Sequence, residues 1–346
     1  MTRLARSPVV QLALWRVREF MREPEAVFWI FAFPLLMAFA LGLAFTNRPL
    51  ESAHVAVPAG RDAAVLAERL NAHDRVEAEV LDPAEAYNRL RAGRVSIVVH
   101  PGSPPVAQYD STRPESQLAR LLVDEALQRA AGREDVIAIR DRRVDEPGAR
   151  YIDFLIPGLL GLNIMGTGLW GVGYGIVKNR THHLLKRFLA SPMRKRHYIF
   201  SFILARLVFL FLEASVLLVF GYVAFGVPLR GSVLALAGVV VLGAMMFAGI
   251  GVLVASRART IEGISGLMNL VMVPMWIFSG VFFAYSNFPD AAQPFIKALP
   301  LTALNDAIRA VMLDGAGVLS QIGPIAMMAV WGVGSFVVAL RIFRWE

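Results

Sequence analysis

The 346-residue chain is 56% hydrophobic, carries 18% charged residues at a formal net charge of +8, and has no cysteine. A mean hydropathy of +0.54, with charges grouped between long apolar runs, excludes an ordinary soluble domain. The missing cysteine excludes a disulfide framework, a thiol nucleophile and any Cys-based metal site.

Within residues 1–25, Val9, Leu12, Trp15 and Phe20 alternate at helical spacing with Arg16, Arg18 and Arg22. This predicts an amphipathic helix lying in the membrane interface, broken at Pro24. The opening basic residues precede no small-residue cleavage site, so the segment reads as retained. Residues 26–47 hold no charge, and 22 residues at about 1.5 Å each suffice to cross a hydrocarbon core of about 30 Å. This is the first span, with a kink expected at Pro34.

Residues 48–150 change character, with charges and prolines throughout and no run long enough to span. Strand patterns at 54–58, 76–81 and 95–100 alternate with helical ones at 63–70, 84–91 and 116–131. They predict a small extracytoplasmic α/β domain inserted between the first and second spans. Further spans are expected at about 154–177, 198–225, 232–254, 263–283 and 321–340, within a membrane body of 151–346. The whole is an α-helical polytopic membrane protein with six transmembrane helices.

Orientation follows from the short loops. One set (the amino terminus, the 178–197 loop, Arg257 with Arg259, and Arg341 with Arg344) carries sixteen Lys/Arg, against Arg230, Lys297 and Arg309 opposite. The positive-inside rule places both termini of this multi-pass chain in the cytoplasm; a plasma membrane, the inner membrane of a bacterium, is the expected location. Because the net charge is one-sided and no basic groove with stacking aromatics exists, nucleic acid is not expected as a partner. Membrane lipids are.

The 178–197 loop, KNRTHHLLKRFLASPMRKRH, concentrates seven Lys/Arg in twenty positions. Leu184, Leu185, Phe188 and Leu189 share one helical face, Thr181 can cap the first turn, and Ser191-Pro192 ends it. The resulting knob, flanked by Pro192 and Arg194, leads directly into spans at both ends. A basic anchor on anionic headgroups is the plain reading; a docking surface fits the flanking spans better.

Several motifs resolve to bland readings. The run from Gly166 to Gly171 matches GxGxxG but lies mid-membrane, so its glycines, with Gly171 and Gly175 in a GxxxG relation, read as helix-packing contacts. There is no Walker A sequence, and His182-His183 diverge on a helix with no carboxylate nearby. Glu213 is different, since a carboxylate inside a span is costly and points to function, or to a structural pair with a neighbouring helix. Arg206, seven residues earlier, looks too distant along the axis to touch it and free to snorkel toward the cytoplasm.

Residues 284–320 form neither a span nor a polar loop. Apolar positions at Leu301, Leu304, Ile308, Val311 and Met312 oppose Asn305, Asp306 and Arg309, suggesting an outer re-entrant segment whose helix begins at Pro300. An Asp306–Arg309 pair at i, i+3 would lie on its polar side, and the stripe with Leu304 would cap an outer mouth as a gate.

The tail SGVFFAYSNFPDAAQPFIKALPLTALNDAIRAVMLDG, with LLKRFLASPMRKRHYIFSFILAR and GVLVASRARTIEGISGLMNL, resembles the ABC-2-type (type V) permeases, the membrane subunits of ABC exporters, over the whole chain. The resemblance implies a second permease copy, as a homodimer or with a close paralogue, and two cytosolic ABC ATPase subunits that hold the ATP and Mg. The chain itself would bind no cofactor and catalyse no reaction. Residues 184–190 would be its coupling helix and the amino-terminal helix its connecting helix. Within the family a large external domain suggests drug or lipid cargo. An ion-coupled secondary transporter, using Glu213, and a membrane scaffold or receptor using the external domain are the alternatives; no internal repeat favours the former, and a scaffold needs no shaped knob.

Overall fold

The computed structural model describes residues 11, 18, 20–46, 52–133, 148–181 and 195–342. Its contacts define two units, Met1–Thr46 together with Val144–Glu346, and Asn47–Arg143.

The first span enters through Pro24–Val27 and a π turn at Phe28–Ala32, then continues as α1 (Phe33–Thr46). Pro34 explains the irregularity. It has no N–H, so the Ile30 carbonyl four residues before it loses its helical donor. The backbone widens just upstream, and Phe33 N–H donates to the Phe28 carbonyl.

The second unit runs β1 (Ala53–Pro58), α2 (Ala63–Asn71), β2 (Val76–Leu81), α3 (Pro83–Arg91), β3 (Ile97–His100), β4 (Val106–Gln108) and α4 (Pro114–Ala130). The sheet order is β2-β1-β3-β4, with β1 parallel to both neighbours and β4 antiparallel to β3. Alternation sorts the side chains: Val55, Val57, Ile97 and Val99 pack with Leu66, Leu70, Leu122 and Val123 of α2 and α4. Ala56 and Val98 pack with Ala86 of α3 and Val95. The Asn71 side chain takes both the N–H and the carbonyl of Ala78, at 2.6 and 2.9 Å, occupying backbone groups of the outer strand β2.

The membrane body continues with α5 (Tyr151–Gly168), prolonged by a π turn at Leu169–Tyr174 and a helix at Gly175–Thr181. Then follow α6 (Lys195–Phe225), α7 (Val233–Ala255), α8 (Ile261–Phe278), α9 (Gln293–Lys297), α10 (Pro300–Met312) and α11 (Ile322–Ile342). Among the described residues six helical stretches are long and apolar enough to cross a membrane. The α5 span is the hub: 83% of its apolar window is buried within the chain, against α1, α6, α7 and α10. Ile156, Leu159, Leu160, Ile164 and Met165 are its fully covered core.

Small residues let the backbones meet. A Cβ on Gly168 would stand 2.7 Å from Phe247 Cβ of α7, one on Gly173 would stand 2.8 Å from the Gly251 carbonyl, and one on Gly249 would stand 2.8 Å from the Gly332 carbonyl of α11. Gly171 and Gly175 have nothing within 4 Å of a Cβ, so the expected GxxxG pair is not the contact within this chain. The π turn accounts for the change, because its wider spacing rotates the following residues off the face that periodicity assigns them.

Candidate functional site

Among the described residues, two of the buried polar centres join helices across the apolar body. The first joins α6 to α5. Glu213 is 1% exposed; its Oε1 accepts from the Thr167 hydroxyl at 3.0 Å, and Arg206 Nη2 lies 3.7 Å from the same oxygen. Arg206 also donates to Thr167 Oγ1 at 2.6 Å. A hydroxyl carries one proton. With Arg206 donating into it, Thr167 turns that proton either to Glu213 or to the Asn163 carbonyl at 2.8 Å. Glu213 Oε2 is buried without a hydrogen bond.

The separation expected between Arg206 and Glu213 is corrected here. Seven residues span about 10.5 Å of helix, but the two long side chains extend toward each other along one face and Thr167 fills the remainder. Arg206 therefore turns inward, its side chain only 20% exposed, where a guanidinium can offset a buried carboxylate. One turn before Thr167 on α5, Asn163 Nδ2 donates to the Ile30 carbonyl at 3.0 Å. That is the carbonyl orphaned by Pro34, so a single face of α5 serves both α1 and α6 with hydrogen bonds.

The second centre lies at the far end of α8, where the helix stops at Phe278 and Gly280 turns the chain with φ +67. Backbone that leaves a helix inside an apolar body needs internal partners. Side chains supply them. Asn305 Nδ2 donates to the Ser279 carbonyl at 3.0 Å, Arg309 Nη2 to the Gly280 carbonyl, and the Tyr151 hydroxyl to the Phe282 carbonyl at 3.1 Å. Arg309 also donates to the Phe154 carbonyl at 3.3 Å and stacks its guanidinium 3.7 Å from the Phe154 ring centre. On α5, Gly158 and Gly161 leave the notch: a Cβ there would press on the Val281 carbonyl and overlap Asn305 Oδ1.

Three expectations for α10 change accordingly. Asp306 and Arg309 form no ion pair; the guanidinium instead donates to the Gly280 carbonyl of the unwound backbone after α8 and to the Phe154 carbonyl of α5. Asn305, expected on a polar outer side, is fully buried, and so is Leu304, which seats its methyls where α7 has Gly243. The stripe thus packs inside its own chain, against α5, α7 and α11. Pro300 stands in the first turn of α10, where its missing N–H costs nothing. Burial pushes the Asp306 carboxyl above the ordinary carboxylate range, against the pull of Arg309 and Lys297, and brings Arg309 down to about 10.

Leu184, Leu185, Phe188, Leu189, Pro192 and Arg194 lie outside the described residues. Asn163, Thr167 and Tyr151 were not singled out from sequence. Asn163 had one legible signal, since Pro34 announces an orphaned carbonyl that some neighbouring donor must reach.

Comparison with known proteins completes the description. The profile of the family described as "ABC-2 family transporter protein" matches residues 25–341. The chain is similar to "ABC transporter G family member 20" of Dictyostelium discoideum, 27% identical over 171 residues that make up 49% of this chain and 23% of that protein. It is also similar to "Nodulation protein J" of Bradyrhizobium diazoefficiens, 32% identical over 113 residues, 33% of this chain and 43% of that one. The chain therefore spans less than half the length of either relative. The family match takes in both polar centres and nearly all of the six apolar helical stretches, and the chain belongs to the ABC-2 family of transporter proteins, the membrane permeases of ABC transporters.

Proposed function

We propose that the chain is the membrane subunit of an ATP-driven exporter, working as a pair of copies with two separate ATPase subunits that dock on residues 184–194 from the cytoplasm. ATP and Mg belong to those subunits. The observation that carries this reading is the uneven coverage of the spans. The α5 window is 83% buried, while those of the first, fifth and sixth spans are 17%, 22% and 17% buried. Among the described residues the body is packed solid around α5, so a conduit fits better between two chains, lined by spans the single chain leaves bare.

The bare faces carry Phe, Leu, Val, Trp and Met with little charge, which suits apolar or amphipathic cargo of drug-like or lipid type. In this reading both termini are cytoplasmic, the Asn47–Arg143 unit is extracytoplasmic, and 279–312 forms the outer end. The membrane is a bacterial inner membrane.

The test is whether a cytosolic ABC ATPase co-purifies with the chain, with native mass measurement in nanodiscs and ATP hydrolysis against a panel of lipids, drugs and glycans. Two permease copies with two ATPases, stimulated by a lipid or drug, are expected. A transport-active permease monomer, or transport driven by an ion gradient without ATP, overturns the reading.

A further inference from the structure

Arg180, in the last turn of the Gly175–Thr181 helix that prolongs α5, is held in an unusual way. Arg180 Nη1 donates to the Ala258 carbonyl at 2.9 Å and reaches the Ala255 carbonyl at 3.4 Å. Ala255 is the last residue of α7, and carbonyls at a helix end lack intrahelical donors while carrying the negative end of the helix dipole. A guanidinium is the matched partner for such a site. Ala255, Ser256 and Ala258 are 0%, 1% and 6% exposed, so water competes little for these carbonyls. The Ser256 hydroxyl occupies the Leu253 carbonyl at 2.7 Å, which leaves the later carbonyls of the turn to Arg180.

A second observation comes from deeper in the same pair of helices. Gly168 and Gly173 of the α5 stretch bracket Gly251 of α7: a Cβ on Gly251 would stand 3.3 Å from the Gly168 carbonyl, and one on Gly173 would stand 2.8 Å from the Gly251 carbonyl and overlap Met268 of α8. Backbones this close cannot slide without separating. The α5 stretch and α7 are thus locked by backbone contact within the body and by Arg180 at one end. The other helix that leaves the 184–194 segment, α6, packs chiefly on α5 and α1.

We infer that Arg180 is a positioning residue that ties the docking segment to the α7–α8 turn, so that a displacement of 184–194 moves the α5 stretch, α7 and the start of α8 as one body. The inference rests on the reading of 184–194 as the ATPase-docking segment. Without the guanidinium, the glycine contacts would still carry α7 along with α5, while the α7–α8 turn and the start of α8 would lag. Hydrolysis would then continue with less cargo moved.

The experiment uses the full chain with its ATPase in nanodiscs, comparing the parent with Arg180→Gln and Arg180→Lys. Arg180→Gln should keep ATP hydrolysis while transport per ATP falls about tenfold; Arg180→Lys, which keeps the charge but offers a single point donor, should fall between. Because the chain has no cysteine, spin labels at Thr181→Cys and Arg259→Cys report the tie directly. Their separation should be narrow and equal in nucleotide-free and ATP-trapped states, and should broaden in Arg180→Gln. Unchanged transport per ATP and an unchanged distribution in Arg180→Gln overturn the inference, as does a parental separation that shifts with nucleotide. If no ATPase assembles, the docking reading has failed, and the label pair in the permease alone still decides whether Arg180 holds the turn.

Discussion

Arg206 and Glu213 stand seven residues apart on one helix, yet Arg206 Nη2 and Glu213 Oε1 lie 3.7 Å apart with the Thr167 hydroxyl of α5 bonded to both. The arrangement makes each member dependent on the others. Glu213→Ala would strand a largely buried guanidinium and should cost about 3–5 kcal/mol. Glu213→Gln keeps shape and a hydrogen bond and should cost less, with a stable complex and lowered transport if the charge serves the conduit. Thr167→Val removes the bridge at constant volume and should cost about 1–3 kcal/mol. Thermal unfolding in detergent beside transport in vesicles separates these outcomes; transport and stability both unaffected by Glu213→Gln would leave the pair without a role.

The bond from Asn163 to the Ile30 carbonyl predicts a coupling between residues in different helices. Asn163→Ala alone leaves that carbonyl unsatisfied in the membrane and should cost about 1–2 kcal/mol. In a Pro34→Ala background the new N–H can take the carbonyl, so the same change should cost less. A double-mutant cycle measures the difference, and strictly additive effects would show that Pro34 and Asn163 are unrelated.

The glycines of α5 should divide sharply. Gly161→Ala must displace Asn305 and Gly158→Ala must displace the Val281 carbonyl, each costing about 1–3 kcal/mol or more. Gly171→Ala and Gly175→Ala meet nothing within 4 Å in this chain and should leave the unfolding temperature unchanged or slightly raised, since alanine favours the helix. Equal losses at all four positions would refute the assigned packing face.

Asp306 predicts a pH dependence of definite sign. Burial holds its folded pKa above the ordinary value, so its ionisation opposes folding. This contribution is absent at pH below the unfolded pKa, grows as pH rises toward the folded pKa, and is complete above it. Asp306→Asn should therefore stabilise the protein at neutral pH and flatten the fall of stability as pH rises above the ordinary carboxylate range. Unfolding temperature against pH for the two proteins checks this; a parallel pair of curves would discard it.

Much of the architecture was legible in the chain. The six spans announce themselves because hydrocarbon tolerates few charges over about twenty residues, and the alternation of strand and helix in 53–130 follows from side chains packing on both faces of one sheet. The strand β4 escaped notice because three residues are too few for an alternating pattern to register. Thr167 and Asn163 escaped it because a polar residue on an otherwise apolar helix carries no mark of the helix it will meet.

The sequence by itself determined what must be buried, where the membrane segments run, and that Glu213 needs a partner. Only the tertiary structure decided which partners those are. Arg206 turned inward because Thr167 stood ready on α5, and Arg309 turned from Asp306 to the Gly280 carbonyl at the unwound end of α8 and the Phe154 carbonyl of α5. Hydrophobic periodicity is a property of one helix and can be read along a chain. A hydrogen bond inside the membrane body depends on where two helices approach within a few ångströms, and that is set by glycines, π turns and prolines acting together in three dimensions.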